Sequence, residues 1–354
     1  MRAAPAYRPG IAADDVALIL ERVAAPVWQA LRGQRVFITG GTGFLGCWLL
    51  EALLAGEAQF DLGLQLTVLS RDPDGFRAKA PHLAGAAAVT LLRGDMAELA
   101  GVDGRYDIVI HAATDVARAD ADPLHAFEQI VAGSRETLAL ARRCGASRYL
   151  LTSSGAVYGR QPSDCSHVDE SYAGAPDTGD SASAYGQAKR VAEWMSACHA
   201  ERHGLEVRIA RCFAFAGPYL PLDAHFAIGN FIADSLAGRP VHVGGDGTPL
   251  RSYLYAADLA VWLLTILVQG DRRPYNVGSS HALALAELAA LVSRSITGAE
   301  QVHIAGTPTP GRPPQRYVPA TARAAALGLQ EYTDLATAIR KTAAWHHKEH
   351  PHAA

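Results

Sequence analysis

Residues 35–46 read RVFITGGTGFLG and run straight into CWLLEALLAG over residues 47–56. An apolar, β-branched run that turns through three glycines into a helical stretch is how a first strand, a phosphate loop and a helix N-terminus are written in sequence. Gly40 permits the tight turn, Gly43 lets the backbone approach a pyrophosphate, and Gly46 lets the helix close on the strand. Phe44 and Leu45 open an amphipathic helix whose first N–H groups are available to an anion.

Before Arg35 the chain predicts a polar arm and one helix packed beside the first strand. Val16, Leu18, Ile19, Leu20 and Val23 supply its apolar face, and Asp14 or Asp15 its N-cap. After the loop, Leu64 to Ser70 (LQLTVLS) reads as a second buried parallel strand ending beside the adenosine ribose. An NAD site usually carries a carboxylate there. This chain has Ser70 and Arg71, a hydroxyl and a guanidinium that suit a 2′-phosphate, so NADP(H) is favoured. In the alternative, Arg71 points into solvent, Asp72 or Asp74 reaches the ribose, and the cofactor is NAD(H).

Val89 to Leu92 reads as a third strand, followed by Asp95 and Met96 at the adenine edge. Asp107 to Ala113 (DIVIHAA) reads as a fourth, ending in Ala112 and Ala113, small enough for a dinucleotide to lie close. A helix over roughly Phe127 to Cys144 crosses to a fifth strand, Arg148 to Ser153. This alternation implies an α/β fold of Rossmann type, a doubly wound parallel sheet with a smaller C-terminal lobe.

At the fifth strand's end LLTSSGAVYG brings Thr152, Ser153 and Ser154 to where open α/β sheets bind ligands. In SAYGQAKRVAE, Tyr185 and Lys189 stand four apart, on one helix face. A tyrosine has a free pKa of about 10, and a nearby ammonium favours its phenolate. With a serine hydroxyl sharing the substrate oxygen, the trio moves a proton in step with hydride transfer.

With 354 residues, 49% apolar content and a net charge of −3, the chain reads as a soluble globule with no signal for nucleic acid or a membrane. Its five cysteines lack paired spacing, against a disulfide framework or zinc site and in favour of a reducing cytoplasm. Asp14, Asp15, Glu21 and Arg22 interrupt any signal-peptide core. His346, His347, His350 and His352 in the tail read as a solvated, frayed run rather than a metal site. Trp262 and Trp345 read as packing residues, and Gly174 to Ser183 as a loop ahead of Tyr185.

These motifs, GGTGFLG, HAA, TSSGAVYG, YGQAK and GDGTPLRSYLYAADLA, resemble the extended short-chain dehydrogenase/reductase superfamily in its NAD(P)-dependent sugar-nucleotide epimerase/dehydratase branch. The resemblance runs from Arg35 to about Trp345. It implies that Ser154, Tyr185 and Lys189 are catalytic, with Lys189 also on the nicotinamide ribose. It implies a nucleoside-diphosphate sugar substrate, with Asn230, Arg251 and Arg316 on the diphosphate, and a homodimer pairing the helices of Phe127–Cys144 and Tyr185. Residues 1–34 form an arm and helix, 35–210 the dinucleotide-binding domain, 211–345 mainly a substrate lobe with strands returning to the sheet, and 346–354 a tail.

Dehydratases of this branch carry an acidic pair where this chain has Gly155 and Ala156, which speaks against a standard 4,6-dehydratase. Ala214 replaces an asparagine that touches substrate in many relatives. The resemblance thus implies 4-keto reduction or C4 epimerisation of a nucleoside-diphosphate hexose, chemistry of glycan precursor supply. The alternatives are another redox-neutral enzyme (dehydratase or decarboxylase), a flavonoid- or steroid-type NADPH reductase, and a non-catalytic NADP sensor.

Overall fold

The computed structural model describes residues 7–114, 122–224 and 226–349, so His350 and His352 lie outside the described residues. Two helices open it, α1 (Ala13–Arg22) and α2 (Ala25–Leu31). The expected cap differs: α1 starts after Ala12, and Asp14 and Asp15 lie inside its first turn, where carboxylates favour the helix dipole. It packs on the helix after the glycine loop rather than beside the first strand.

The strands β1 (Arg35–Thr39), β2 (Gln65–Ser70), β3 (Val89–Arg93), β4 (Ile108–His111), β5 (Arg148–Ser154) and β6 (Glu206–Cys212) form one sheet with an edge strand, Pro274–Val277. Its order runs edge strand, β6, β5, β4, β1, β2, β3. The pairs β1–β2, β2–β3, β1–β4 and β4–β5 are parallel. Chain order reverses at β1, flanked by β2 and β4, and ligands of such sheets bind at that switch point beyond the strand ends.

The helices that follow are α3 (Phe44–Phe60), α4 (Pro73–Lys79), α5 (Pro81–Ala84), α6 (Pro123–Arg143) and α7 (Ala184–His203). The expected amphipathic face of α3 is not exposed: every residue from Gly46 to Gly56 is buried, Glu51 included. The reason is the N-terminal segment. Trp28 of α2 lies against Gly56, where a Cβ would come within 2.4 Å of its ring. The Glu51 carboxylate accepts from Gly10 N (3.1 Å) and the Tyr7 hydroxyl, and bonds His82 Nε2 (3.0 Å). A buried charge with several partners is a tolerated one.

Two compact units interleave along the chain. The first comprises residues up to Gly159, Ala175–Arg211 and Ala260–Tyr275, and the second Arg160–Gly174, Cys212–Leu259 and Asn276 onward. In the second, the strand Leu250–Arg251 lies between Leu283–Ala284 and Arg316–Tyr317. Its last helix, Leu335–Glu349, includes His346, which bonds Leu220 O (3.0 Å); His346 and His347 are therefore helical rather than frayed. Trp345 packs against Tyr219 at a tilt, ring centroids 4.8 Å apart, and Trp262 is buried, as expected of packing residues. Among the described residues no helix is long and apolar enough to cross a membrane.

Candidate active site

The glycine loop is a cradle built from backbone. Gly40 has φ +72°, and a Cβ there would sit 2.4 Å from Ala113 N and 2.6 Å from Ala112 O. At Gly46 a Cβ would come within 2.1 Å of Gly40 O, so α3 closes on the loop only with glycine. At Gly43 the nearest atom would be Gly40 O at 3.4 Å, and what borders Gly43 is a cleft of about 300 Å³. Phe44 and Leu45 begin α3 as half-buried residues. The cleft takes in Gly40 and Gly43, Ser70 and Arg71, Asp95 and Met96, and Ala112 and Ala113. These residues fit a dinucleotide: the pyrophosphate requires close backbone approach at a helix N-terminus, and side chains beyond the strand ends border the rest. His125 and Gln129 of α6 also line it, which periodicity alone could not reveal.

At the end of β2, Ser70 Oγ accepts from Asp72 N (3.1 Å) and shapes the turn that follows. The two nearby carboxylates are turned to other donors. Asp72 caps α4 by accepting from Gly75 N (3.1 Å), and Asp74 pairs with Arg77 (2.7 Å) and Arg93 (2.6 Å).

The residues expected to carry the chemistry meet where α7 packs against β5. Lys189 is buried, and its Nζ donates to Thr152 O (2.8 Å) and Thr114 Oγ1 (2.7 Å). It lies 5.9 Å from the Tyr185 ring centroid. Ser154 is buried at the strand end, its Oγ accepting from Ala156 N (3.1 Å). Gly186 joins the two sides: a Cβ there would come within 2.6 Å of Ala156 O, so the turn bearing Tyr185 sits directly on the turn after Ser154.

Two partners were not visible in the sequence. Thr114 holds the ammonium, and Glu193, four residues beyond Lys189 on the same face, accepts from Ser153 Oγ (2.5 Å) and pairs with Arg211 through Nε (3.0 Å) and Nη2 (2.7 Å). Arg211 lies over the Tyr158 ring. Burial alone would weaken its charge, but Glu193 and Tyr158 carry its pKa above the usual value. The i+4 spacing from Lys189 was the available signal for Glu193. Behind them His111 bonds Thr39 Oγ1 (2.8 Å) and Ser134 Oγ (3.3 Å); burial, then the Lys189 charge, push its pKa down to about 3.

In the second unit, strand register sets Arg316 beside Leu250 and Tyr317 beside Arg251, so one short ribbon carries both arginines. Arg251 Nη1 donates to Leu250 O (2.9 Å), and Arg316 Nε is buried with no hydrogen-bond partner among the described residues. Asn230 sits on the helix Ala227–Leu236, its amide nitrogen oriented to donate to Leu222 O (3.0 Å) and Ala224 O (2.9 Å). Asp258 is structural: its carboxylate accepts from Tyr332 N (2.9 Å) and Thr333 N (3.1 Å), and burial pushes its pKa up to about 7 against those bonds.

The sequence profile described as the NAD dependent epimerase/dehydratase family matches residues 36–278. The chain belongs to that family. Among curated members, UDP-glucuronic acid decarboxylase 3 of Arabidopsis thaliana is 32% identical over 289 residues, 80% of each chain. Among solved structures, dTDP-glucose 4,6-dehydratase of Streptomyces venezuelae, with NAD bound, superposes at TM-score 0.75 with 25% identity, covering 90% of this chain and 98% of that one. UDP-glucose 4-epimerase of Thermotoga maritima superposes at TM-score 0.76 with 20% identity, covering 89% and 99%. In this epimerase/dehydratase family member the glycine loop and the YGQAK helix both fall inside the matched residues.

Proposed function

We propose that this enzyme moves hydride at C4 of a nucleoside-diphosphate hexose with NADP(H), as a 4-ketoreductase or C4 epimerase. The observation that carries this reading is the buried Lys189 ammonium beneath Tyr185, at the strand end that bears Ser154 and borders no carboxylate at Gly155 or Ala156.

Gly40, Gly43, Phe44, Leu45 and Gly46 would hold the cofactor's pyrophosphate, Asp95 and Met96 its adenine, Ser70 and Arg71 the 2′-phosphate, and Ala112 and Ala113 would lie alongside. Bound there, the nicotinamide would supply or accept the hydride. Tyr185 exchanges the proton of the C4 oxygen, and the nearby ammonium favours its phenolate electrostatically. Two oxygen acceptors fix Lys189, so its charge stays aimed without reorganising. Ser154 donates to the same substrate oxygen. Arg251 grips the diphosphate, aided by Arg316; a planar guanidinium suits that role, whereas the expected third contact, Asn230, already gives its amide hydrogens to Leu222 O and Ala224 O. The enzyme works in the cytoplasm as a homodimer through α6 and α7, which expose Leu124 and Trp194.

A second reading is favoured by the curated relative: decarboxylation of a nucleoside-diphosphate hexuronate. Oxidation at C4 makes the C6 carboxylate that of a β-keto acid, which loses CO2 without an acid at position 155 or 156. One assay separates the readings. Net NADPH consumption with a dTDP-4-keto-6-deoxyhexose supports the reductase, and interconversion of C4 epimers of UDP-hexose the epimerase. CO2 release from UDP-glucuronate with no net cofactor turnover replaces both by the decarboxylase.

A further inference from the structure

We propose that Lys79 and Arg93 join Arg71 as the cations that hold the cofactor's 2′-phosphate. This rests on the NADP reading above and extends it to residues outside the strand-end pair. A phosphate monoester carries close to two negative charges near neutral pH, more than one guanidinium neutralises.

Both added cations are already fastened to the cleft wall. Lys79 Nζ, from the last turn of α4, donates to Thr42 O (3.3 Å), and Thr42 lines the cleft within the glycine loop. Arg93, paired with Ser70 at the ends of β3 and β2, donates through Nη1 to Arg71 O (3.1 Å). Thr42 and Arg71 line the same cleft while Lys79 and Arg93 stand one hydrogen bond behind that lining, one bonded to the loop and one to the end of β2.

The charge balance points the same way. Between residues 71 and 93 the rim carries Arg71, Arg77, Lys79 and Arg93 against Asp72 and Asp74 alone. Asp72 caps α4, and Asp74 is shared by Arg77 and Arg93, so each carboxylate has other donors. A carboxylate characteristically accepts a hydrogen bond from a 2′-hydroxyl, whereas a 2′-phosphate is accommodated by cations. Asp74 also holds the Arg93 guanidinium beside Arg71, which lowers the entropy cost of ordering it.

Calorimetric titration with 2′,5′-ADP and 5′-AMP isolates the 2′-phosphate without turnover. The wild type is expected to bind 2′,5′-ADP at least about tenfold more tightly. Lys79→Met and Arg93→Met each weaken 2′,5′-ADP by about three- to tenfold and leave 5′-AMP within about twofold. Both side chains are exposed, and the 5′-AMP titration reports that each variant is folded. A wild type that does not distinguish the two probes overturns the NADP reading and this inference with it. A preference lost in Arg71→Met but kept in both other variants overturns this inference alone.

Discussion

At position 40 one methyl group decides whether the cofactor cradle can form. A Cβ on Gly40 would overlap the backbone of Ala112 and Ala113, which cannot yield as a flexible side chain can, and φ +72° adds strain. Gly40→Ala is therefore expected to weaken nucleotide binding at least about tenfold, read by calorimetry, and to lower thermal stability. Unchanged affinity would mean the loop is not the pyrophosphate site. For the proposed chemistry, Tyr185→Phe keeps the ring beside Lys189 and removes only the hydroxyl assigned there to the proton. Steady-state kinetics should show kcat down by about 10²–10⁴ with KM little changed. A variant retaining half the wild-type kcat would remove Tyr185 from the proton path.

At the scale of elements, two polar clusters hold the elements of the candidate site in register. Glu193 fastens α7 to Ser153 at the end of β5 and to Arg211 on β6, with both ion-pair side chains largely buried. Glu193→Ala strands a buried guanidinium and should cost about 3–5 kcal/mol in chemical denaturation. A loss under about 1 kcal/mol would show that the pair contributes little. The second cluster, Thr39–His111–Ser134, ties β1, β4 and α6 with a neutral imidazole. Its pKa is about 3 when folded against an ordinary 6.5, so between those values the unfolded chain binds more protons. This contribution is present above pH 6.5 and is lost as pH falls toward 3. His111→Gln should flatten the acid limb of a plot of unfolding free energy against pH, and parallel limbs for the two proteins would refute the assignment.

At the scale of the whole molecule, the exposed Trp194 and Leu124 stand on α7 and α6, two helices packed against each other. Trp194→Lys should shift a dimer toward monomer at micromolar concentration by analytical ultracentrifugation. A monomeric wild type would dispose of the dimer.

What the sequence determined by itself was the run of strands β1 to β5, the strand–glycine turn–helix form of the loop, and the placing of Ser154 at a strand end and of Tyr185 and Lys189 on one helix. Each is local: a glycine spacing, a helical i+4 step, a strand ending in hydroxyls. The second N-terminal helix, α2, it did not show. Tertiary structure decided the rest. Glu51 looks like the polar face of an amphipathic helix until the N-terminal arm covers it. Thr114 and Arg211 reach their partners across 75 and 18 residues of chain. Asp72 and Asp74 could each have served a ribose, but the start of α4 and the end of β3 supply them with other donors. Such pairings depend on which strand ends the sheet sets side by side, and no periodicity along the chain encodes that.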